Sequence, residues 1–313
     1  SRQTIIEVFP AFSVIPSRDL MVRGKEFFAI WDEDVGFWSM DEYRARELID
    51  RELYAYADTL TAPEDGYISV HSLQDFSSQA WSSWRRYLAS LPDHYQDLDG
   101  ELTWASDERK RENYATRALS YTVAPEDTPS YDTLVKRLYL PEEREKFEWA
   151  IGAIVAGEAR HIQKFLVFYG QAGTGKSTII NLIEQLFQGY VATFEAKALG
   201  ANGQAFATEV FKNNPLVGIQ HDGDLSRIED NTKLNSIVGH DVMTLNEKFK
   251  SPRDIKLRAF LFMGTNRPVK ITDAKSGIIR RLIDVHPTGR KLAVAEYHQA
   301  VARLPVELGG IAA

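Results

Sequence analysis

The 313-residue sequence contains no cysteine, and this absence excludes several classes of site at once. Disulfide bonds, thiolate zinc sites, iron–sulfur clusters and cysteine nucleophiles all require that residue. The seven histidines are scattered along the chain, and no two of them have the i, i+4 spacing of metal ligands on a helix. The sequence therefore gives no sign of a cysteine-based or histidine-pair metal centre.

Long hydrophobic runs are also absent. The longest apolar run covers residues 150–157, far fewer than the roughly 20 residues that a membrane-spanning helix needs. The first residues have none of the features of a signal peptide. We therefore expect a soluble, cytoplasmic protein with no membrane partner. The start without Met and the ending Gly-Gly-Ile-Ala-Ala favour a fragment of a longer chain.

Basic side chains are outnumbered by acidic ones overall, and the two signs are unevenly distributed along the chain. The net charge of −7 argues at first against a nucleic-acid partner. Residues 1–150, however, carry 17 basic and 29 acidic side chains, whereas residues 151–313 carry 20 basic and 15 acidic ones. The net charges of −12 and +5 indicate two modules, each of ordinary domain size.

The N-terminal module is predicted to be mainly helical over residues 1–130. A small hairpin is expected from residues 26–31 and 35–38, and apolar spacing predicts helices at residues 41–60 and 74–91. The second helix carries Trp81, Trp84, Arg85 and Arg86, which suit either a strip for single-stranded nucleic acid or a core face, and we favour the core face. Prolines and small polar residues predict a linker at residues 121–132.

From residue 164 onward, short apolar strands alternate with helices, a pattern typical of an α/β fold with a mostly parallel sheet and helices on both faces. Residues 165–169 form an apolar strand that leads into a complete G-x-x-x-x-G-K-[ST] motif. A helical pattern follows directly. The motif consists of Gly170, Gln171, Ala172, Gly173, Thr174, Gly175, Lys176 and Ser177, and Thr178 follows it.

Each residue type in this motif has a physical reason. Glycines allow backbone N–H groups to turn toward phosphates, and the following helix N-terminus favours anions. Lys176 is expected to reach the β- and γ-phosphates, and the Ser177 hydroxyl to ligate Mg²⁺. The sequence therefore predicts a site for ATP and Mg²⁺ that includes this loop.

Polar residues also follow two later strands. Asp222 and Asp224 come after the apolar residues 216–220, and Asn266 follows residues 259–264. Asp222 is predicted to hold Mg²⁺, whereas Asp224 is either a second catalytic acid or a helix cap. Asn266 is expected to orient the attacking water. Arg280 and Arg281 suit a finger that reaches the γ-phosphate of a neighbouring subunit, and the sequence does not distinguish between them.

The order of these parts resembles that of superfamily 3 helicases, specifically the helicase portion of phage and plasmid DNA primase-helicases related to the poxvirus enzyme. The resemblance is strongest over residues 165–287. It implies an AAA+-like core at residues 131–290, a homohexameric ring with ATP between subunits, and 3′→5′ translocation on single-stranded or forked DNA. It leaves residues 1–130 as an oligomerisation collar and residues 291–313 as a C-terminal tail. A phage origin would place the protein in the host cytoplasm.

The same resemblance implies a DNA-binding hairpin after the acid-ended strand. Residues 243–250 and 255–262 are expected to form its two sides, with Lys248, Lys250 and Arg253 at the tip. Cations there would contact phosphates regardless of sequence. No primase site is visible, so any primase or polymerase domain would lie elsewhere on a full-length chain.

Two other functions are also compatible with the sequence. One is an ATP-dependent DNA-binding ring or loader that does not unwind DNA. The other is a small-molecule phosphotransferase, which would leave the hairpin cations and the paired arginines without a role.

Overall fold

The computed structural model describes residues 3–10, 17–24, 27–73, 78–201, 207–224, 230–248, 252–267 and 277–313. The chain divides into two compact units. The N-terminal unit consists of Ser1–Gly100 and Glu108–Arg117, and the C-terminal unit consists of Glu101–Asp107 and Ala118–Ala313. Among the described residues, no helix is long and apolar enough to cross a membrane.

The N-terminal unit mixes strands with helices, so the predicted mainly helical character is not shown for its described residues. It contains β1 (Thr4–Val8), β2 (Leu20–Arg23), β3 (Phe27–Asp32), β4 (Phe37–Ser39), helix α1 (Glu42–Ala57), β5 (Gly66–Val70) and helix α2 (Ser78–Ser90). Strands β2, β3 and β4 form an antiparallel sheet, and β1 pairs with β5 in parallel. That pairing joins segments about 60 residues apart, which local patterning does not reveal.

The aromatic residues of α2 belong to the core. Trp81 and Trp84 are buried, their rings stack 4.8 Å apart, and they pack with residues such as Phe28 and Ile30. The core-face interpretation of this helix is therefore confirmed, and these rings are not available as a platform for nucleic-acid bases.

A five-stranded parallel sheet forms the centre of the C-terminal unit. Its strands are β6 (Phe165–Tyr169), β7 (Val191–Thr193), β8 (Val217–Gln220), β11 (Phe260–Thr265) and β12 (Leu282–Val285). They lie in the order β12-β6-β11-β8-β7. Strand β6 therefore has a later strand on each side, which puts a change in winding direction at its carboxyl end, where α/β sheets bind ligands.

Helices cover both faces of this sheet. They are α3 (Pro129–Leu138), α4 (Pro141–Val155), α5 (Lys176–Leu186), the one-turn α6 (Ala196–Leu199), α7 (Thr232–Val238), the one-turn α8 (Ile278–Arg281) and α9 (Val294–Ala312). Leu166 and Phe168 pack with the α3, α4, α5 and α9 side, whereas Phe165 and Val167 pack with α6 and α7. Burial on both faces explains the continuous apolar sequence of β6, and the prediction of a parallel α/β sheet flanked by helices is confirmed.

The predicted boundary at residue 130 differs from the boundary of the compact units. The segment predicted as a linker packs within the C-terminal unit, where Tyr121 Oη donates to the Leu186 carbonyl at 2.8 Å and Ala124 N to the Gly309 carbonyl at 3.1 Å. The predicted C-terminal tail also belongs there, because helix α9 buries Leu304 and Leu308 against the core. Its apolar spacing is that of a packed helix rather than a free tail.

Candidate nucleotide-binding site

The G-x-x-x-x-G-K-[ST] loop connects the carboxyl end of β6 to the first residue of α5. Gly170, Gly173 and Gly175 have φ angles of +150°, +77° and +99°, values that residues with a Cβ rarely adopt. A Cβ on Gly175 would also lie 2.9 Å from a methyl carbon of Leu138. The glycines therefore permit both the turn of this loop and its close contact with α3.

Lys176 is buried beside the loop, and its side chain points back across it. The ammonium donates to the Gly170 carbonyl and to Oδ1 of Asn266, and it lies 3.4 Å from the Gln171 carbonyl. Burial lowers the pKa of Lys176, and the nearby Asp222 carboxylate opposes this effect. A phosphate group would supply the anionic partner that this partly desolvated cation lacks.

Asp222 and Asn266 come together because their strands are neighbours. Strands β8 and β11 pair in parallel, with Met263 opposite Gln220, so both chains end at the same sheet edge. Asn266 Nδ2 donates to Oδ2 of Asp222 at 3.3 Å, while its Oδ1 accepts from Lys176. The amide thus links the lysine to the acid, and all three predicted residues occupy one site.

Asp224 lies apart from this chain of contacts. Its Oδ2 accepts from the Arg267 guanidinium at 3.3 Å. The residue does not line the cavity beside the loop, whereas Asp222 does. Gly223 separates the two acids, and its N–H donates to the Gly264 carbonyl at 2.9 Å. Of the two predicted acids, Asp222 is therefore the one that belongs to this cavity.

A cavity of about 430 Å³ lies against the loop. Its lining has three parts: the loop and start of α5, the ends of β8 and β11, and a C-terminal segment with one side chain of α3. The residues are Gln171, Ala172, Gly173, Thr174, Gly175, Lys176, Ser177 and Thr178; His221, Asp222 and Asn266; and Leu138, Lys291, Leu292, Val294, Tyr297 and His298. This size suits a small-molecule ligand.

The oxygen donors of the site fit the chemistry of Mg²⁺. The Ser177 side chain lies at the exposed start of α5, and Asp222 is exposed in the same cavity. Among the described residues, no group of three or more His, Asp or Glu side chains is arranged to hold a metal. Magnesium is commonly held by one or two protein oxygens together with substrate phosphates, so this donor set fits a metal that arrives with a nucleotide.

The two arginines differ in their surroundings. Arg281 is half-buried, and its guanidinium donates to the Asn235 carbonyl of α7 at 2.6 Å. Arg280 is exposed, and its Nε lies 3.4 Å from the position of a Cβ on Gly277. Neither arginine lines the cavity. Arg280 is therefore the one available to a neighbouring molecule, while Arg281 holds α8 to α7.

The predicted hairpin is present but shorter than expected. Strand β9 (Val242–Leu245) pairs antiparallel with β10 (Arg253–Lys256). The predicted second side, residues 255–262, is divided between β10 and the main-sheet strand β11, because Leu257 and Ala259 are buried in the core between them.

Of the three predicted DNA-contacting cations, Lys248 is exposed on the connection between β9 and β10. Lys250 lies outside the described residues. Arg253 belongs to β10 rather than the tip, and its guanidinium pairs with the buried Glu247 at 3.1 Å and donates to the Lys212 carbonyl. The placement of Arg253 at the tip is wrong, because the residue belongs to β10 and lies opposite Leu245 of β9.

Sequence reasoning missed the C-terminal wall of the cavity. Lys291, Leu292, Val294, Tyr297 and His298 lie more than 110 residues after the loop and have no phosphate-binding pattern of their own. Tyr297 Oη lies 2.9 Å from Thr178 Oγ1, a contact that only the fold creates. Sequence reasoning also did not include His221 in the site. It lines the cavity, and its position directly before Asp222 was the signal that could have indicated it.

Comparisons with known proteins give the fold but no activity. A family model described as a family of unknown function, DUF5906, matches residues 168–281, well under half of the chain. No curated protein matches. The A form apo structure of the NrS-1 C-terminal region is similar with a TM-score of 0.58 and 10% identity, over 96% of this chain and 68% of that one.

A second apo structure of the NrS-1 C-terminal region has a TM-score of 0.54 at 11% identity, with the same coverage of both chains. At such low identity the likeness establishes a shared fold alone. The aligned region covers 96% of this chain.

Proposed function

We propose that this protein is an ATP-dependent DNA helicase that works as a ring, hexameric as its superfamily 3 resemblance implies. The observation that carries the proposal is the cavity where Lys176, Asp222 and Asn266 meet at the carboxyl ends of three neighbouring strands. A glycine-rich loop, a lysine, an acid and a strand-end amide are the groups that P-loop ATPases use to hold and hydrolyse a triphosphate. The fold shared with the NrS-1 C-terminal region is compatible with this role.

Each residue has a defined task in this proposal. The loop amides cradle the phosphates, and Lys176 leaves its carbonyl contacts to bind the β- and γ-phosphates. Ser177 and Asp222 would hold Mg²⁺, which neutralises charge that develops on the phosphates. Asn266 orients the attacking water with the amide that now bridges Lys176 and Asp222. Asp224 stays a weaker candidate for the base because Arg267 engages it.

Hydrolysis would require a second subunit. Arg280 is exposed in α8, directly before β12. Supplied to a neighbour's cavity, it would stabilise charge on the γ-phosphate. Each ATP would then lie at a subunit interface, which couples hydrolysis to movement between subunits.

DNA contact is assigned to the connection between β9 and β10. Lys248, which lies among the described residues of this connection, is exposed. The sequence also assigns Lys250 to the same connection. Contacts to phosphate carry no sequence preference, as a translocating motor needs. Movement 3′→5′, a collar role for the N-terminal unit, and a primase or polymerase domain on a full-length chain follow from the family resemblance and belong to the proposal. So does a location in the host cytoplasm.

One observation favours a second candidate, an ATP-dependent DNA-binding ring or loader. Only one of the two predicted acids, Asp222, lines the cavity, and a site with a single acid suits slow hydrolysis. Such a protein would require ATP for ring closure on DNA without strand separation.

Strand displacement on a forked duplex distinguishes the two. The motor predicts ATP-dependent release of the displaced strand by the wild type and none by Lys176→Ala. The same reactions run with a non-hydrolysable analogue serve as the control. ATP-dependent binding of single-stranded DNA without any displacement would support the loader and contradict the motor.

A further inference from the structure

The C-terminal segment that completes the cavity has no role in the function proposed above. Lys291 lies between β12 and α9, and the side chains of Leu292 and Tyr297 line the same cavity. The lining thus contains a second lysine besides Lys176. Lys291 therefore lies on the same cavity as the glycine-rich loop.

Hydrogen bonds fix this segment beside the loop. Thr288 N donates to the Leu138 carbonyl at 2.8 Å, and Thr288 Oγ1 donates to the Arg137 carbonyl at 2.9 Å. Arg137 Nε in turn donates to the carbonyl of Lys291 itself at 3.1 Å. The backbone of Lys291 is therefore anchored to the end of α3, whose Leu138 packs against Gly175 of the loop.

The ammonium of Lys291 reaches the middle of the loop. Its Nζ lies 3.5 Å from the position that a Cβ would occupy on Gly173. Gly173 has a φ of +77°, so the loop turns there and has no side chain of its own to occupy that space. Lys176 lies at the opposite side of the loop, against Gly170 and Asn266.

We infer that Lys291 is a second phosphate-binding lysine, which contacts the phosphate chain of a bound nucleotide over Gly173. The inference rests on the proposed nucleotide site and adds a residue to it. A nucleoside triphosphate carries several negative charges along its chain, and cations on two sides of the loop match that extended charge. Lys291 is exposed at the cavity mouth, where its ammonium is accessible to a ligand.

Equilibrium binding of a non-hydrolysable ATP analogue to the full chain tests the assignment. Lys291→Gln removes the charge and leaves a polar side chain that is shorter by one atom, and we expect its Kd to rise about tenfold. The matched control is Arg290→Gln, which removes the neighbouring exposed charge outside the cavity and is expected to bind as the wild type does. Competition by inorganic tripolyphosphate should weaken by a similar factor in Lys291→Gln, because that probe has no base or sugar.

The outcomes separate this inference from the proposed function. If the wild type does not bind the analogue, or Lys176→Ala binds as tightly as the wild type, the nucleotide site itself is wrong. If the wild type binds and Lys176→Ala does not, but Lys291→Gln matches Arg290→Gln, only the assignment of Lys291 is overturned. A fall in the thermal unfolding midpoint of ligand-free Lys291→Gln, with unchanged tripolyphosphate competition, would also overturn it.

Discussion

Asn266 has an unusual position between a cation and an anion. Its Oδ1 accepts from Lys176 and its Nδ2 donates to Asp222 at 3.3 Å, so both ends of the amide are held. Because an amide oxygen faces cations and an amide nitrogen faces anions, the two contacts fix its orientation. In the proposed function, a γ-phosphate that binds Lys176 would release the Asn266 oxygen, and the amide would then be free to reorient.

The two acids give a direct test at the residue scale. We expect Asp222→Asn to lower the rate of ATP hydrolysis by about a hundredfold or more, because the charge that is proposed to hold Mg²⁺ would be lost. Asp224→Asn should change the rate little, since its carboxylate faces Arg267. Steady-state phosphate release measures both. Equal losses in the two variants would place Asp224 in the reaction and contradict the assignment.

The two arginines give a second test, with a stability readout. Arg280→Ala should lower the rate of ATP hydrolysis by about a thousandfold. Its nucleotide affinity and its unfolding midpoint should stay unchanged. Arg281→Ala should instead lower the free energy of unfolding by about 2 kcal/mol, because it loses a charged hydrogen bond to the Asn235 carbonyl. Loss of nucleotide binding in Arg280→Ala would argue against a finger acting on a neighbouring subunit.

At the scale of elements, the turn between β3 and β4 is joined to α1 by ion pairs. The Arg44 guanidinium binds both oxygens of the buried Asp32, at 2.5 and 2.8 Å, and also reaches Asp34. The hydrogen bonds from Arg44 hold the pKa of Asp32 below its usual value. A hairpin whose sides pair over only three residues thus gains a fixed position against the helix that follows it.

This pairing predicts a pH dependence of stability. A lowered folded-state pKa means that the stabilisation is present above the unfolded-state value of about 3.9 and is lost as the pH falls through the folded-state value. Arg44→Met should therefore destabilise the protein by about 2–3 kcal/mol at pH 7, and the difference from wild type should shrink below pH 4.

Denaturant unfolding at several pH values measures this difference. Arg51→Met, which removes only an exposed partner of Asp34, is the control and should change stability little. A constant difference between Arg44→Met and wild type from pH 7 to pH 3 would contradict the account.

Local elements of the C-terminal unit follow directly from the sequence, while long-range ones do not. Strand β6 and helix α5 are predicted because one apolar run, one glycine-rich loop and one helical period are contiguous. The cavity wall formed by Lys291 and Tyr297 is not predicted, because only the packing of α9 against α3 and α5 brings it to the loop. A single lysine such as Lys291 belongs to no repeating pattern, so the sequence alone does not reveal that it lies beside the loop.

In the N-terminal unit, too, a regular local pattern is predicted from the sequence and a long-range strand pairing is not. Helix α1 is predicted almost to its ends, because its apolar spacing is regular and Asp41 caps it, accepting from the backbone N–H of Tyr43. Strands β1 and β5 are too short and too exposed for alternation to be distinctive, and they stabilise each other only by pairing.

At the scale of the whole molecule, charge position carries more information than net charge. The excess of basic residues lies in residues 151–313, and the structure separates these cations by task. Lys176 and Lys291 line the cavity, Arg281 and Arg253 hold elements together, and Arg280 and Lys248 are exposed. A ring would place the exposed ones toward a neighbouring subunit and toward DNA, which is consistent with a motor despite the net charge of −7.

The central claim is that this cavity hydrolyses ATP and that DNA increases the rate. The most direct measurement is steady-state ATP hydrolysis by the purified chain, with and without single-stranded DNA, for the wild type and Lys176→Ala. The account predicts turnover by the wild type, a higher rate with DNA, and no turnover by the variant. Hydrolysis at equal rates in wild type and Lys176→Ala, or none by the wild type even with DNA, would contradict it.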